Sequence, residues 1–154
     1  MSLLSVKEYL KDYNKENNII ELSESTATVE LAAKALNVEP GRIAKTLSFK
    51  VDKTCLLIII AGDKKIDNRK YKETFHIKAK MLTPEEVIEY TGHEIGGVCP
   101  FAISNPNVKI YCDISIKKYQ TVFPACGSKN SAIEITPEDL FSISKSIEWV
   151  DISK

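Results

Sequence analysis

The sequence has no long hydrophobic run and no excess of charge of either sign. Its most apolar segment, residues 56–61, is far shorter than the roughly 20 residues that a membrane-spanning helix needs. The 21 Lys and Arg residues balance the 21 Asp and Glu residues, so no global positive field draws the chain to nucleic acid. Residues 1–4 lack the basic start and apolar stretch of a secretory signal. We therefore expect a cytoplasmic protein without a membrane segment, whose contacts with nucleic acid are local.

Motifs that bind metals, nucleotides or redox cofactors are also missing. No two cysteines have the two-residue spacing of zinc and redox motifs, and we expect free buried thiols at Cys55, Cys99, Cys112 and Cys126. There is no P-loop, no dinucleotide-binding glycine pattern and no nucleophile elbow, so neither a metal nor a cofactor is predicted. The two histidines, His76 and His93, are interpreted as surface or turn residues, which leaves no Ser-His or Cys-His nucleophile.

The composition is that of an ordinary globular domain. The chain has 154 residues, of which 44% are hydrophobic and 27% charged, and it contains no repeat, low-complexity segment or linker. One domain over residues 1–154 is therefore predicted. Helix and strand patterns interleave while tight turns join several strands, which indicates an α+β (mixed α/β) fold with a mixed sheet flanked by helices. Because no heptad pattern is present, we expect a monomer. No helix-turn-helix pattern or basic recognition helix points to DNA.

N-terminal capping signals predict four helices. These signals are a capping box at Ser5 and Glu8 with an end near residues 17–18, hydroxyl caps at residues 23–28 with an end at about Leu36, and Thr-Pro-Glu starts at Thr83 and Thr136. A short helix or turn is predicted at residues 116–119. Strands are predicted at residues 19–22, 43–51, 55–61, 108–111, 121–125 and 132–135. The continuous apolar run at residues 55–61 is typical of a central strand that is covered on both faces.

Two features can carry chemistry. Alternation places Lys45 on the strand face of Ile43 and Leu47, where a cation needs a partner or a cleft, although a lysine near a strand end can also extend to water. The second feature is a loop with two adjacent glycines, which lets the backbone approach a ligand closely and direct N–H groups at a carbonyl or anion, although it can also be a plain loop. Its residues are Gly96, Gly97, Val98, Cys99, Pro100 and Phe101.

Taken together, these segments resemble the YbaK/EbsC/ProX family of trans-acting aminoacyl-tRNA deacylases, relatives of the editing domain of bacterial prolyl-tRNA synthetases. The resemblance spans nearly the whole chain, and the order and spacing of its motifs are more specific than any one motif. The motifs are the Ser/Thr-rich residues 25–28, the segment 41–47 around Lys45, Ala61-Gly62-Asp63, the double-glycine loop at residues 96–101, and Cys126-Gly127-Ser128 before the last capped helix.

The resemblance implies a pocket that holds the aminoacylated end of tRNA, where a wrongly attached amino acid is hydrolysed from the terminal adenosine. Lys45 matches the essential lysine of the family and is expected to bind the terminal phosphate or ribose and to stabilise developing charge. Gly96 and Gly97 match the loop that grips the ester carbonyl. Thr46 follows the lysine as in the branch that acts on Cys-tRNA-Pro. The other residues expected to contact substrate are Thr28, Val98, Cys99, Pro100, Gly127, Ser128 and Asn130.

The segment after Gly127 departs from the family pattern. Some relatives carry a histidine there and YbaK-like members an aspartate, whereas residues 127–132 contain neither. Lys129 or Asn130 is an alternative substrate contact, and the departure can also signal another amino-acid preference. The loop exit has Ala102 where the family commonly has glycine. A non-catalytic module that binds tRNA or a synthetase is therefore the alternative to an enzyme, although Lys45 and the double glycine favour the enzyme.

The expected substrate is tRNA-Pro that carries Cys or Ala. One methylene of difference gives a synthetase only about 1 to 3 kcal/mol of discrimination, so a second sieve is needed. The locally basic residues 64–80 can contact the acceptor stem or can form a solvated charged face. Because the chain is neutral overall, we expect weak tRNA affinity and delivery of the tRNA by prolyl-tRNA synthetase or an elongation factor.

Overall fold

The computed structural model describes residues 2–154, and these residues combine helices with a mixed sheet. The α-helices are α1 (Ser2–Lys11), α2 (Val29–Leu36), α3 (Asn68–Phe75), α4 (Pro84–Thr91) and α5 (Pro137–Ile143). The strands are β1 (Ile19–Glu21), β2 (Ile43–Val51), β3 (Thr54–Ala61), β4 (Lys109–Asp113), β5 (Phe123–Pro124), β6 (Ser131–Ile133) and β7 (Trp149–Val150). Short 3-10 segments occupy Glu16–Asn18, Pro40–Arg42 and Ile114–Lys118.

A five-stranded sheet in the order β5-β2-β3-β4-β7 forms the centre. The β2–β3 pair is antiparallel and is joined by a tight turn at Asp52 and Lys53, while the other three pairs are parallel. A second, two-stranded sheet pairs β1 with β6. This arrangement confirms the predicted mixed sheet with flanking helices.

Strand β3 is the centre of the core. Its residues from Cys55 to Ala61 are at most 5% exposed, which confirms the strand covered on both faces. One side packs in a large cluster with α1, α4 and α5, and the other packs around Tyr71 of α3. The four cysteines lie buried as free thiols, as predicted. Among residues 2–154, no helix is both long and apolar enough to cross a membrane.

Capping residues set the helix bounds as the sequence predicts. The Thr28 hydroxyl accepts the Leu31 N–H at the start of α2, and Asn37 ends that helix in the left-handed region. Thr83 makes a full capping box with Glu86 at the start of α4. Thr136 accepts the Asp139 N–H at the start of α5.

Three elements differ from the prediction. Helix α1 begins at Ser2, so Ser5 lies inside it and is not the N-cap; the apolar pattern continues backward to Leu3, which packs on the core. The helix also ends at Lys11, because Asn14 adopts a left-handed φ of 57°. Helix α3 was not predicted, since Tyr71 is its one buried residue. Strand β7 was not predicted either, because a strand of two residues is too short to show an alternation of apolar and polar side chains.

Candidate active site

A cavity of about 340 Å³ opens beside the start of β2. It is enclosed by α2 and the turn before it, by β2, by α4 and by the loops that contain Gly96 and Ala125. The lining is mainly apolar and includes several small side chains, and its polar members are few. The residues that matter below are Thr26, Thr28, Lys45, Thr46, Gly96, Val98 and Ser131.

Lys45 lies half-buried at this cavity. Its Nζ donates to the carbonyl oxygen of Gly62 at 3.4 Å, which fixes the direction of the long side chain. Burial lowers the pKa of Lys45, while the carboxylates of Glu30 and Asp63 oppose that shift and Lys65 adds to it. The ammonium group is therefore partly desolvated and can interact strongly with an anion in the cavity.

The outer edge of β2 is open next to the cavity. On this edge β5 pairs with Ile43 and Ala44, and the residues around Met81 pair with Phe49, but within residues 2–154 no segment pairs between these two regions. The Ser48 carbonyl accepts from Leu82 N–H at 3.3 Å, on the edge of β2 that faces away from β3. Every second residue of a strand directs its backbone groups to the same edge, so Thr46, two residues before Ser48, does so as well. The N–H and C=O of Thr46 consequently point to the open edge.

Two threonine hydroxyls at the cavity are buried without a partner. Thr26 is 8% exposed, and its Oγ1 and that of Thr46 have no hydrogen-bond partner among the described residues. A buried hydroxyl without a partner costs stability, so such groups point to a bound ligand or water. Since both residues line the cavity, a ligand bound there can satisfy them.

The two adjacent glycines have different surroundings. Gly96 lines the cavity with a φ of 96°, and an added Cβ would approach Ala27 Cβ and Lys129 Cγ to 3.2 Å. Gly97 lies behind the lining, where a Cβ would come within 2.8 Å of the backbone of Gly127 and Ser128. The N–H of Gly97 donates to Glu94 O at 3.0 Å, so in this structure it does not point at the cavity.

The structure therefore brings part of the predicted site together. Lys45, Thr46, Thr28, Gly96 and Val98 line the cavity. Gly97, Cys99, Pro100, Gly127, Ser128 and Asn130 are not among the residues that line it. Pro100 borders a different cavity beside Tyr9, and Cys99 is fully buried in the core.

The segment after Gly127 supports the glycine loop from behind. Ser128 Oγ contacts Ser131 Oγ at 2.6 Å and Asn130 Oδ1 at 3.0 Å. Asn130 Nδ2 donates to Leu22 O at 2.9 Å, so its amide is already bonded on both sides. The stem of Lys129 lies over Gly96. Of the two alternative substrate contacts, Lys129 therefore lies against a residue of the cavity lining, whereas the side-chain amide of Asn130 bonds to Ser128 and Leu22.

Ala102 adopts a φ of 59°, in the left-handed region that glycine occupies at lower cost. This explains why a glycine suits the loop exit, and it shows that the chain turns in the same way without one. Phe101 before it is fully buried, and its carbonyl oxygen lies 2.8 Å from His93 Nε2, so the backbone that leads into this turn is held on both counts.

Two buried groups, Thr26 and His93, were not predicted from the sequence. Thr26 is buried at the cavity, and its place in a run of Ser and Thr was the available signal. His93 was expected at the surface or in a turn, but it is 1% exposed and bonded inside the core, because the chain turns inward after the Gly92 cap. His76 is the exposed C-cap of α3, as predicted. In residues 2–154 no three His, Cys, Asp or Glu side chains cluster as metal ligands would.

Known proteins resemble this chain over most of its length. Residues 23–143 match the family described as the aminoacyl-tRNA editing domain. The uncharacterized protein YwhH of Bacillus subtilis is 52% identical over 155 aligned residues, which cover 100% of this chain and 98% of YwhH. EbsC of Enterococcus faecalis, described as a candidate Cys-tRNA(Pro)/Cys-tRNA(Cys) deacylase, is 28% identical over 123 residues, 79% of this chain and 74% of EbsC.

A solved structure and a longer enzyme are also similar to this chain over most of its length. A structure described as a candidate trans-editing enzyme for prolyl-tRNA synthetase superposes with a TM-score of 0.89 at 30% identity, covering 99% of this chain and 97% of that one. Proline–tRNA ligase of a Geobacillus species is 32% identical over 129 residues, and the chain spans only 22% of that ligase.

Proposed function

This chain belongs to the aminoacyl-tRNA editing domain family, and we propose that it hydrolyses the ester bond between a tRNA and a wrongly attached amino acid. The observation that carries the proposal is the half-buried ammonium of Lys45 at a cavity where the hydroxyls of Thr26 and Thr46 lack hydrogen-bond partners. Lys45 and Thr46 lie on β2, and Thr26 lies in the Ser/Thr-rich segment before α2; both segments are among the motifs that resemble the family. A cavity of about 340 Å³ has room for a small amino acid and part of the terminal ribose.

Lys45 supplies positive charge to this reaction. In a site that burial has partly desolvated, an ammonium stabilises a phosphate or a developing oxyanion more strongly than it does in water. The nearby carboxylates of Glu30 and Asp63 favour its charged form. We assign it to binding and charge stabilisation rather than to proton abstraction.

The remaining groups position the substrate. The hydroxyls of Thr26 and Thr46 and the open backbone edge at Thr46 can bond to the amino acid and ribose. Gly96 allows the acyl group to approach the backbone closely. In the reaction, water oxygen adds to the ester carbonyl carbon, the bond to the ribose oxygen breaks, and that oxygen takes a proton. The products are a free amino acid and uncharged tRNA. The neighbouring ribose hydroxyl orients the water, which accords with a cavity lining that, among the described residues, contains no Cys nucleophile and no His, Asp or Glu to activate a hydroxyl.

The proposed substrate is tRNA-Pro carrying Cys or Ala. The description of EbsC names Cys-tRNA(Pro), and that of the similar structure names prolyl-tRNA synthetase. The small side chains in the lining, which include Ala27, Ala32 and Ala44, favour a small uncharged substrate side chain. Because the chain is neutral overall, we further propose that a synthetase or an elongation factor delivers the tRNA.

A deacylation panel tests the function. The protein is presented with Cys-, Ala-, Ser- and Pro-charged tRNA-Pro, and ester loss is followed against the spontaneous rate. We expect one mischarged species to be hydrolysed, and the Lys45→Ala variant to lower that rate by about 100-fold or more. Lys53→Ala is the matched control, since it removes the same charge at the exposed hairpin turn and leaves the cavity untouched.

The alternative is a module that binds tRNA or a synthetase without hydrolysis. It would be supported if no charged tRNA were hydrolysed above background while an uncharged or protected tRNA still bound. Equal rates for the wild type and Lys45→Ala would exclude the assigned role of the lysine even if hydrolysis occurred.

A further inference from the structure

His93 is a fully buried imidazole outside the cavity, at the base of the double-glycine loop. Its Nε2 lies 2.8 Å from the carbonyl oxygen of Phe101, at the other end of that loop. The Cys99 Sγ lies 3.5 Å from the same nitrogen. The contact with Phe101 therefore closes the segment that carries both glycines into a ring.

The hydrogen bonds determine the tautomer. A carbonyl oxygen can only accept, so Nε2 carries the proton and donates it to Phe101. Burial lowers the pKa of His93, which favours the neutral form of the ring. The Nδ1 atom is then an acceptor, and it contacts the hydroxyl of Ser2 at the start of α1. The Cys99 thiol stays protonated as well, because burial raises its pKa to about 12.

The backbone of His93 is anchored to α4. Its N–H donates to Thr91 Oγ1 at 3.1 Å, and that hydroxyl donates to Val87 O at 2.6 Å. Val87 lines the cavity. The ring is thus held between the end of a helix that borders the cavity and the far end of the glycine loop.

Ser2 joins a third segment to this arrangement. An added Cβ on Gly127 would come within 2.8 Å of Ser2 Oγ and of its carbonyl oxygen, so Ser2 packs directly on Gly127. Gly97 in turn packs on the backbone of Gly127 and Ser128. The start of α1, the glycine loop and the segment after Cys126 therefore meet around His93 and Ser2.

We propose that His93 is a positioning residue, which holds the Gly96–Gly97 loop at the geometry that the hydrolysis of the aminoacyl ester requires. The inference rests on the proposed function for its kinetic consequence but not for its structural one. His93 acts through the Phe101 carbonyl and through Ser2, and it does not touch the substrate. Because cavity geometry sets the rate, a small displacement of the loop lowers turnover more than it lowers binding.

Three variants test the kinetic consequence. His93→Ala removes both hydrogen bonds, while His93→Gln retains an N–H that can donate to Phe101 O. His76→Asn is the matched control, since His76 is the exposed histidine and asparagine tolerates its left-handed φ of 62°. The kinetics are measured with the charged tRNA that the deacylation panel identifies as substrate. We expect His93→Ala to lower kcat by about 10- to 100-fold and to change KM by less than about threefold. His93→Gln should recover most of kcat, and His76→Asn should match the wild type. An unchanged kcat in His93→Ala, or an equal loss in His93→Gln, would overturn the proposal.

A second measurement needs no catalysis. In the wild type, ¹⁵N NMR of the imidazole should show the neutral tautomer protonated at Nε2. Hydrogen exchange of the Gly97 amide should accelerate by about tenfold or more in His93→Ala and remain near the wild-type rate in His93→Gln. A ring protonated at Nδ1, or an unchanged Gly97 amide in His93→Ala, would refute the positioning role. If the wild type hydrolyses no charged tRNA, the proposed function fails while this structural test still gives its own answer.

Discussion

At the scale of single residues, the neighbouring glycines Gly96 and Gly97 make different contacts. Gly96 faces the cavity, whereas the Cα of Gly97 lies against the backbone of the segment after Cys126. Backbone atoms at this contact cannot move aside without separating two loops. The double glycine therefore combines a place in the cavity lining with a close backbone contact behind it.

The Gly97→Ala substitution is expected to lower deacylation by about tenfold or more, because its Cβ would approach Gly127 C and Ser128 N to 2.8 Å and push Gly96 toward the cavity. Overpacking should also cost about 1 to 3 kcal/mol of unfolding free energy, measured by urea titration. Gly92→Ala is the comparison, since its Cβ meets nothing within 4 Å but its φ is 77°. It should lose about 1 to 2 kcal/mol and keep its activity. Full activity in Gly97→Ala would contradict this role.

Residue-scale prediction from the sequence succeeded where the signal was local. Lys45 breaks the alternation of a strand, which predicts either a cleft or an extension to water, and the structure places it at the cavity. His93 has no such signal, because its burial depends on Ser2 and Phe101, which lie far from it in the chain or across a loop. Thr26 was one of several hydroxyls in a row, and only the fold shows which of them is enclosed. Pro100 was assigned to the cavity with its motif, but it borders another one.

At the scale of elements, β2 forms one side of the site with an edge that is only partly paired. The two-residue turn makes Val51 and Thr54 a hydrogen-bonded pair, so Leu47 and Lys45 also bond to β3. Thr46 faces the other way, between the regions that pair with β5 and with Met81. An open edge of this kind can bind an extended ligand through its backbone.

Hydrogen exchange should show this gap. In the free protein, we expect the Thr46 amide to exchange at least about tenfold faster than the amides of Lys45 and Leu47. Saturation with a non-hydrolysable alanyl-amide analogue of aminoacyl adenosine should slow Thr46 selectively. The amide of Lys50, which donates to Lys80 O at 2.7 Å on the same edge, is the protected control. Slow exchange of Thr46 in the free protein would show that the edge is already paired.

Helices and strands were predicted from the sequence where the signal lies within the element itself, and they were missed where it comes from contacts with distant residues. Strand β2 was predicted at its observed ends and helix α2 at its observed C-terminal end, because alternation and Asn37 act locally; the start of α2 was predicted only as one of the hydroxyls at residues 23–28, and the structure selects Thr28. Helix α3 has a polar surface around Tyr71, so it lacks an apolar stripe that a sequence pattern can show. Strand β7 forms by parallel pairing with β4, and a pairing over only two residues produces no pattern that the sequence can show.

At the scale of the whole molecule, charge is balanced overall but not locally. Two cations of the basic segment are held by ion pairs, Lys70 with Asp151 and Arg69 with Glu73, each at 3.1 Å. Within residues 2–154 no ion pair involves Lys64 or Lys65. Lys65 also lowers the pKa of Lys45, which places its charge near the cavity. Lys65, and Lys64 next to it in the chain, are therefore the lysines of this segment that we expect to contact a phosphate near the cavity.

This placement predicts how tRNA binding responds to salt. Each phosphate that a lysine neutralises contributes about 0.7 to 0.9 to the slope of log affinity against log salt. Lys65→Ala should weaken binding of a tRNA-Pro acceptor stem and reduce that slope by about one, and Lys64→Ala should act similarly. Fluorescence anisotropy between about 50 and 200 mM salt measures both quantities. Lys53→Ala, at the far end of the β2–β3 hairpin, should leave the slope unchanged. If Lys53→Ala reduced the slope as much as Lys65→Ala does, binding would depend on total charge and not on the lysines beside the cavity.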